Sequence, residues 1–139
     1  MRRLAVLPAR GGSKRIPHKN IRDFCGKPMI WHALDTVTRS GLFSEIHVST
    51  ESERVASVVR GFGLETRFSR PHELSGDETP VLEVLNYVLK SYASLRATFE
   101  EAWLIMPCIP LLRPEDLRGA AQVFERLLSH QALLAVTEY

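Results

Sequence analysis

Leu4, Ala5, Val6 and Leu7 form an unbroken apolar run just inside the N-terminus of this 139-residue chain. A strand with water on one face alternates apolar and polar residues, whereas a strand covered on both faces is apolar throughout. The run therefore predicts the inner strand of a parallel sheet with helices on both sides. The chain that follows supports this reading. Met29, Ile30, Ala33, Leu34 and Val37 recur at helical spacing from Pro28, the expected first helical residue, until Gly41. Residues 46–48 give a second strand ending in Ser49-Thr50, and 51–62 a second helix, capped by Thr50 or Ser52 and closed by Gly61 or Gly63. Residues 65–68 read as a third strand. Leu82, Leu85, Val88, Leu89 and Tyr92 make a third helical stripe that starts at Pro80. Residues 102–106 form a fourth strand, Leu117, Ala121, Phe124 and Leu128 a fourth helix, and 132–136 a fifth strand.

Strands alternating with helices through short connections imply right-handed crossovers and a parallel sheet wrapped by helices. Ligands of such open sheets collect beyond the carboxyl ends of the strands. That rule places loops 8–19, 69–79 and 107–113 on one rim. At 139 residues the chain is one domain by length, and 45% apolar with 24% charged residues is ordinary for a globular protein, which excludes a disordered chain. No apolar run approaches a membrane span or a secretory signal, so a cytoplasmic protein that does not enter membranes is expected. Cys25 and Cys108 are too few and too separated for a disulfide framework or a metal knuckle.

Charge singles out the first loop. Residues 1–28 hold eight Lys or Arg (Arg2, Arg3, Arg10, Lys14, Arg15, Lys19, Arg22 and Lys27) against Asp23 alone, a local +7. With the whole chain at +2, the remainder carries −5. Gly11 and Gly12 allow backbone N–H groups to approach an anion, and Arg10, Lys14, Arg15 and Lys19 supply several positive charges beside them. A polyphosphate fits this combination better than a single carboxylate; a solvated basic surface loop is the alternative. A nucleic-acid module is disfavoured, because the charge lacks interleaved aromatics. Neither the Walker loop nor the Gly-x-Gly-x-x-Gly dinucleotide fingerprint is present.

The opening Leu7-Pro8-Ala9-Arg10-Gly11-Gly12-Ser13-Lys14-Arg15-Ile16-Pro17, followed by Lys19-Asn20-Ile21 and then Gly26-Lys27-Pro28, resembles the signature of the cytidylyltransferases that activate sialic-acid-like sugars. The stretch Phe24 to Ile30 looks most like the pseudaminic acid branch. The resemblance implies a three-layer α/β/α Rossmann-like nucleotidyltransferase fold with a mainly parallel sheet. It also implies transfer of CMP from CTP to a nine-carbon sugar acid, pseudaminic acid foremost and N-acetylneuraminic or legionaminic acid as alternatives, with release of pyrophosphate.

Position by position, the resemblance implies nucleotide contacts from Leu7, Ala9, Arg10, Gly11, Gly12, Ser13, Lys14, Lys19 and Asn20, with Arg10 and Lys19 catalytic. Arg70, with Pro71 to Leu74, and Asp77 match a segment that faces cytosine and ribose. Asn20, Pro107 and Arg113 are implied on the sugar acid. Read without the resemblance, Asp77 is also a plausible cap for the helix after Pro80, Arg70 and Arg113 are plausible surface residues, and His18 and His72 are rim residues not expected to act as base. The third loop departs from the sialic acid pattern: Met106, Cys108 and Ile109 replace polar residues there, and Leu112 adds one.

Magnesium is the implied cofactor, but its implied acidic ligands belong to a segment beyond the matching one, so the metal ligands stay unassigned. The resemblance further implies a homodimer, and makes this chain the N-terminal part of a longer cytidylyltransferase. A nucleotide-binding fragment without turnover is therefore a second expectation.

Overall fold

The computed structural model describes residues 1–127 and 131–136. In chain order it contains β1 (Arg3–Pro8), a small hairpin of β2 (Asp23–Phe24) and β3 (Lys27–Pro28), α1 (Met29–Ser40), β4 (Glu45–Ser49), α2 (Glu53–Gly61), α3 (Val81–Ser94), β5 (Glu101–Leu104) and α4 (Pro114–Phe124). β1 is the middle strand of a three-stranded parallel sheet in the order β4-β1-β5. Leu4 lies opposite Glu45 and Ala102, and Val6 opposite His47 and Leu104.

Leu4, Ala5, Val6 and Leu7 are all fully buried, as expected of a strand covered on both faces. Their side chains alternate. Ala5 and Leu7 join Ile30, Ala33, Leu34 and Val37 of α1, Val55 and Val59 of α2 and Leu117 of α4 in one core. Leu4 and Val6 join Val88 and Tyr92 of α3 in the other. The result is the three-layer α/β/α arrangement, with each fully buried Leu, Ile or Val contributing ~1.5–3 kcal/mol of transfer free energy. Arg118 of α4 ties the first layer together, donating to the carbonyls of Arg39 (2.8 Å) and Ser40 (3.1 Å) at the end of α1.

Local signals place the element ends. Ser52 caps α2, accepting from the Val55 N–H at 3.3 Å, and Gly63 just beyond that helix has a left-handed φ of 78°. The helix expected over 51–62 therefore starts at Glu53. The hairpin was not anticipated: Cys25 (φ 54°) and Gly26 (φ 81°) both take positive φ in its two-residue turn, the pattern that matches strand twist. Pro28 thus closes a strand, and α1 begins one residue later.

Two expected strands are absent. Residues 65–68 form no ladder; side chains hold them beside β4 instead, with Arg67 paired to Glu45 (2.8 Å) and Phe68 stacked on His47. Residues 132–136 are irregular and exposed, with Leu134 and Val136 largely in solvent, because no strand or helix among the described residues pairs with or covers them. Leu128, expected in α4, lies outside the described residues. Among the described residues, no helix is long and apolar enough to cross a membrane.

Candidate functional site

The carboxyl ends of β1 and β4 stay paired for one residue past β1, where the Ala9 N–H donates to the Ser49 carbonyl (2.9 Å). The chain then leaves the sheet at Arg10. Leu7 and Ala9 have no exposed surface, so they form the floor beneath the loop. Gly11 passes so close to the start of α2 that a Cβ there would lie 2.7 Å from the Cβ of Ser52. Its N–H donates to Oε1 of Glu51 at 2.7 Å. The glycine is required by this close approach, and its amide is held by an internal carboxylate. Gly12 beside it is exposed, with open space around its Cα.

Arg10 and Lys14 reach across the rim to one residue. The Arg10 guanidinium binds Oδ1 of Asp77 and the Lys14 ammonium binds Oδ2. Hydrogen bonds from Lys14 and then Arg10 hold the Asp77 carboxyl below the usual carboxylate range. Asp77 does not cap α3: the N-cap position is Pro80, and no side chain caps the helix there. Its loop is anchored by Arg70, which is 6% exposed. The Arg70 N–H donates to the Thr50 carbonyl (2.9 Å), and its guanidinium donates to the Ser49 carbonyl (2.8 Å) and Ser49 Oγ (3.2 Å). Burial lowers the Arg70 pKa, Glu51 opposes that shift, and the neighbouring charge of Arg10 adds to it.

A second bridge crosses from the third loop. Asn20, buried in the short 3-10 turn Lys19–Ile21, donates from Nδ2 to the Arg10 carbonyl at 2.9 Å. Its Oδ1 accepts from the Cys108 thiol at 3.2 Å. Burial raises the Cys108 pKa against the opposing charge of Lys19, so the thiol keeps its proton and remains a donor. Pro107 is buried beside it. Ser13 folds back on the loop through its N–H to the Gly11 carbonyl (3.1 Å), and Lys19 is exposed at the rim.

The structure thus gathers Arg10, Gly11, Gly12, Ser13, Lys14, Lys19, Asn20, Arg70, Asp77 and Pro107 around one sheet edge. Arg113 stands apart from this set: at the start of α4 its backbone N–H and guanidinium both bond to Asp116. His18 accepts from Arg54 of α2 at 3.1 Å. The sequence reading assigned no role in the site to Glu51, Ser49 or Cys108. The same rim rule that selected the other loops would have found Glu51, since it lies two residues past the carboxyl end of β4.

Among the described residues, no group of three His, Cys, Asp or Glu side chains could hold a metal ion. Asp77 already holds two cations, and Glu51 gives Oε1 to the Gly11 amide while its buried Oε2 has no hydrogen-bond partner. The described residues therefore do not make a magnesium cage.

A family model described as cytidylyltransferase matches residues 4–130. Pseudaminic acid cytidylyltransferase of Campylobacter jejuni is 33% identical over the full length of this chain and 60% of its own. CMP-N,N'-diacetyllegionaminic acid synthase of Legionella pneumophila is 36% identical, covering 88% of this chain and 53% of its own. The chain thus spans 60% or less of the length of these relatives. A solved structure of CMP:2-keto-3-deoxy-manno-octonic acid synthetase complexed with CTP superposes with a TM-score of 0.75 and 26% identity, over 90% of this chain and 48% of that one. The glycine loop at the mouth of β1, the α/β/α layers around it and these matches agree, and the chain belongs to the cytidylyltransferase family.

Proposed function

We propose that the protein binds CTP at the rim formed by loops 8–19, 69–79 and 107–113 and transfers its CMP unit to a sialic-acid-like sugar acid, with pseudaminic acid the favoured acceptor. The observation that carries this reading is the meeting of Arg10 and Lys14 on a single carboxylate beyond the end of the inner strand. Those two cations are built to hold an anion at the position where ligands of such sheets collect.

In the proposed reaction the acceptor hydroxyl attacks the α-phosphorus. A new P–O bond forms, the bond to the β-phosphate oxygen breaks, pyrophosphate leaves and the hydroxyl proton passes to solvent. Negative charge grows on the departing pyrophosphate, so Arg10 and Lys14 stabilise it where it develops. Lys19 adds a third positive charge at the rim. Asn20, fixed between the Arg10 carbonyl and Cys108, orients the acceptor. Preference for pseudaminic acid is supported by the similarity to the Campylobacter enzyme and by the apolar third loop.

The test pairs calorimetry with CTP and a pyrophosphate-release assay with pseudaminic, legionaminic and N-acetylneuraminic acids in turn. Lys19→Ala should weaken CTP binding, and unchanged affinity in that variant counts against the loop assignment. The second reading is a nucleotide-binding unit without turnover. CTP binding without pyrophosphate release would favour it.

A further inference from the structure

We propose that Asp77 is a resident counter-anion that sets the charge a ligand must carry to enter the glycine loop, so that the site selects polyphosphates over single phosphates. The inference rests on the reading of this loop as the triphosphate seat and adds a selectivity device to it. Each carboxylate oxygen of Asp77 meets a different cation, one on Arg10 and one on Lys14. A phosphate group would use the same two partners in the same way. The carboxylate comes from a loop 67 residues away in the chain, and the buried Arg70 fixes that loop to the end of β4. The Lys14 and Arg10 hydrogen bonds that keep Asp77 ionised also make it a competent rival for any incoming anion.

Displacement is feasible because the pair is not sealed: the Asp77 side chain is 34% exposed and that of Lys14 80%. Exposed ion pairs are individually weak, and a stronger anion can replace one partner. A single phosphate would gain little, since each contact it makes replaces one already present. A triphosphate carries enough additional charge to reach Lys19 and the open Gly12 amide as well, which Asp77 does not engage. After CMP transfer the β- and γ-phosphates depart as pyrophosphate, and the CMP-sugar product keeps only one phosphate group. Once pyrophosphate has left, Asp77 takes back Arg10 and Lys14, and the CMP-sugar, with a single phosphate, is not retained there.

Calorimetry with CTP, CMP and inorganic phosphate tests this on the wild-type chain, Asp77→Asn and the charge-matched control Glu78→Gln, whose parent residue is exposed next to Asp77. Asp77→Asn should tighten CMP and phosphate by roughly 1.5- to fivefold, the scale of one exposed ion pair, and CTP by less. The CTP-to-CMP affinity ratio then narrows, while Glu78→Gln leaves it at the wild-type value. Weaker CTP binding in Asp77→Asn, an unchanged ratio, or equal narrowing in Glu78→Gln overturns the inference while leaving the triphosphate seat intact. If the wild-type chain binds CTP nowhere, or if Lys14→Ala leaves its affinity unchanged, the seat itself is wrong and the inference falls with it. Asp77→Ser answers the same question if the Asn variant does not fold.

Discussion

The thiol of Cys108 donates to Oδ1 of Asn20 across 3.2 Å, joining the loop after β5 to the basic loop after β1. Asn20 passes the constraint on through its bond to the Arg10 carbonyl. Threonine and valine at position 108 differ only by the hydroxyl that could replace this donor. Cys108→Thr should therefore keep stability and CTP affinity close to wild type. Cys108→Val leaves Oδ1 of a buried Asn unpartnered and should cost about 1–3 kcal/mol, read as a shift in the urea midpoint. Equal behaviour of the two variants would remove the bridge from the account of the site.

The paired glycines should respond oppositely. Gly11→Ala places a methyl 2.7 Å from the Ser52 Cβ, with Ser52 Oγ at 3.0 Å and Glu51 Oε1 at 3.3 Å. Overpacking of this kind costs about 1–3 kcal/mol. Gly12→Ala meets nothing within 4 Å and should be neutral, within about 0.5 kcal/mol. Thermal unfolding of the two variants side by side checks the contrast.

Arg70 is a harder residue to replace. Its guanidinium serves both the carbonyl and the hydroxyl of Ser49, which has no exposed surface. Arg70→Lys supplies a charge but not two donors in a fixed fork, so it should rescue little of the loss caused by Arg70→Ala. Both variants should lose about 1–3 kcal/mol, measured by urea denaturation, because Ser49 Oγ loses its Arg70 partner while the Ser49 carbonyl keeps only the Ala9 N–H. Both should also free the loop that carries Asp77.

His47 makes the protein acid-sensitive. It is 1% exposed, stacked on Phe68 and 3.4 Å from the Tyr92 hydroxyl, and its Nε2 has no hydrogen-bond partner. Burial pushes its pKa down from 6.5 to about 4; Glu45 opposes the shift, and Arg70 and Arg67 reinforce it. The unfolded chain therefore takes up a proton near pH 6.5 that the folded chain refuses until about pH 4. Stability from this group is complete above the unfolded pKa and declines as pH falls through that window, by about 3 kcal/mol in total. His47→Phe should flatten the decline in unfolding free energy between pH 7 and 4, and an unaltered pH profile would refute the assignment.

The layers of the fold were legible because burial writes itself into a strand. Leu4 to Leu7 could not be an edge or a half-wet strand, and the stripe of Ile30, Ala33, Leu34 and Val37 could only face a core. Segment 65–68 misled for a related reason. Its alternation reflects Phe68 packing on His47 and Arg67 reaching Glu45, and side-chain contacts leave the same period as a ladder. The members of the basic loop were legible from charge and glycine, but their partners were not. Nothing near Asp77 in sequence indicates that it meets Arg10 and Lys14, and nothing near Gly11 indicates that Glu51 takes its amide. Those pairings are properties of the assembled sheet, invisible to local spacing.

Because β1 lies between β4 and β5, the rim combines segments near residues 10, 50, 70 and 108. No short peptide excised from this chain could reproduce the rim, and a partly folded chain would present only scattered fragments of it. A nucleotide that settles there thus recognises the finished architecture, and by mass action it would raise the melting temperature of the entire domain rather than steady a single loop. Ligand-induced thermal protection is accordingly a sensor of whether folding has gone to completion.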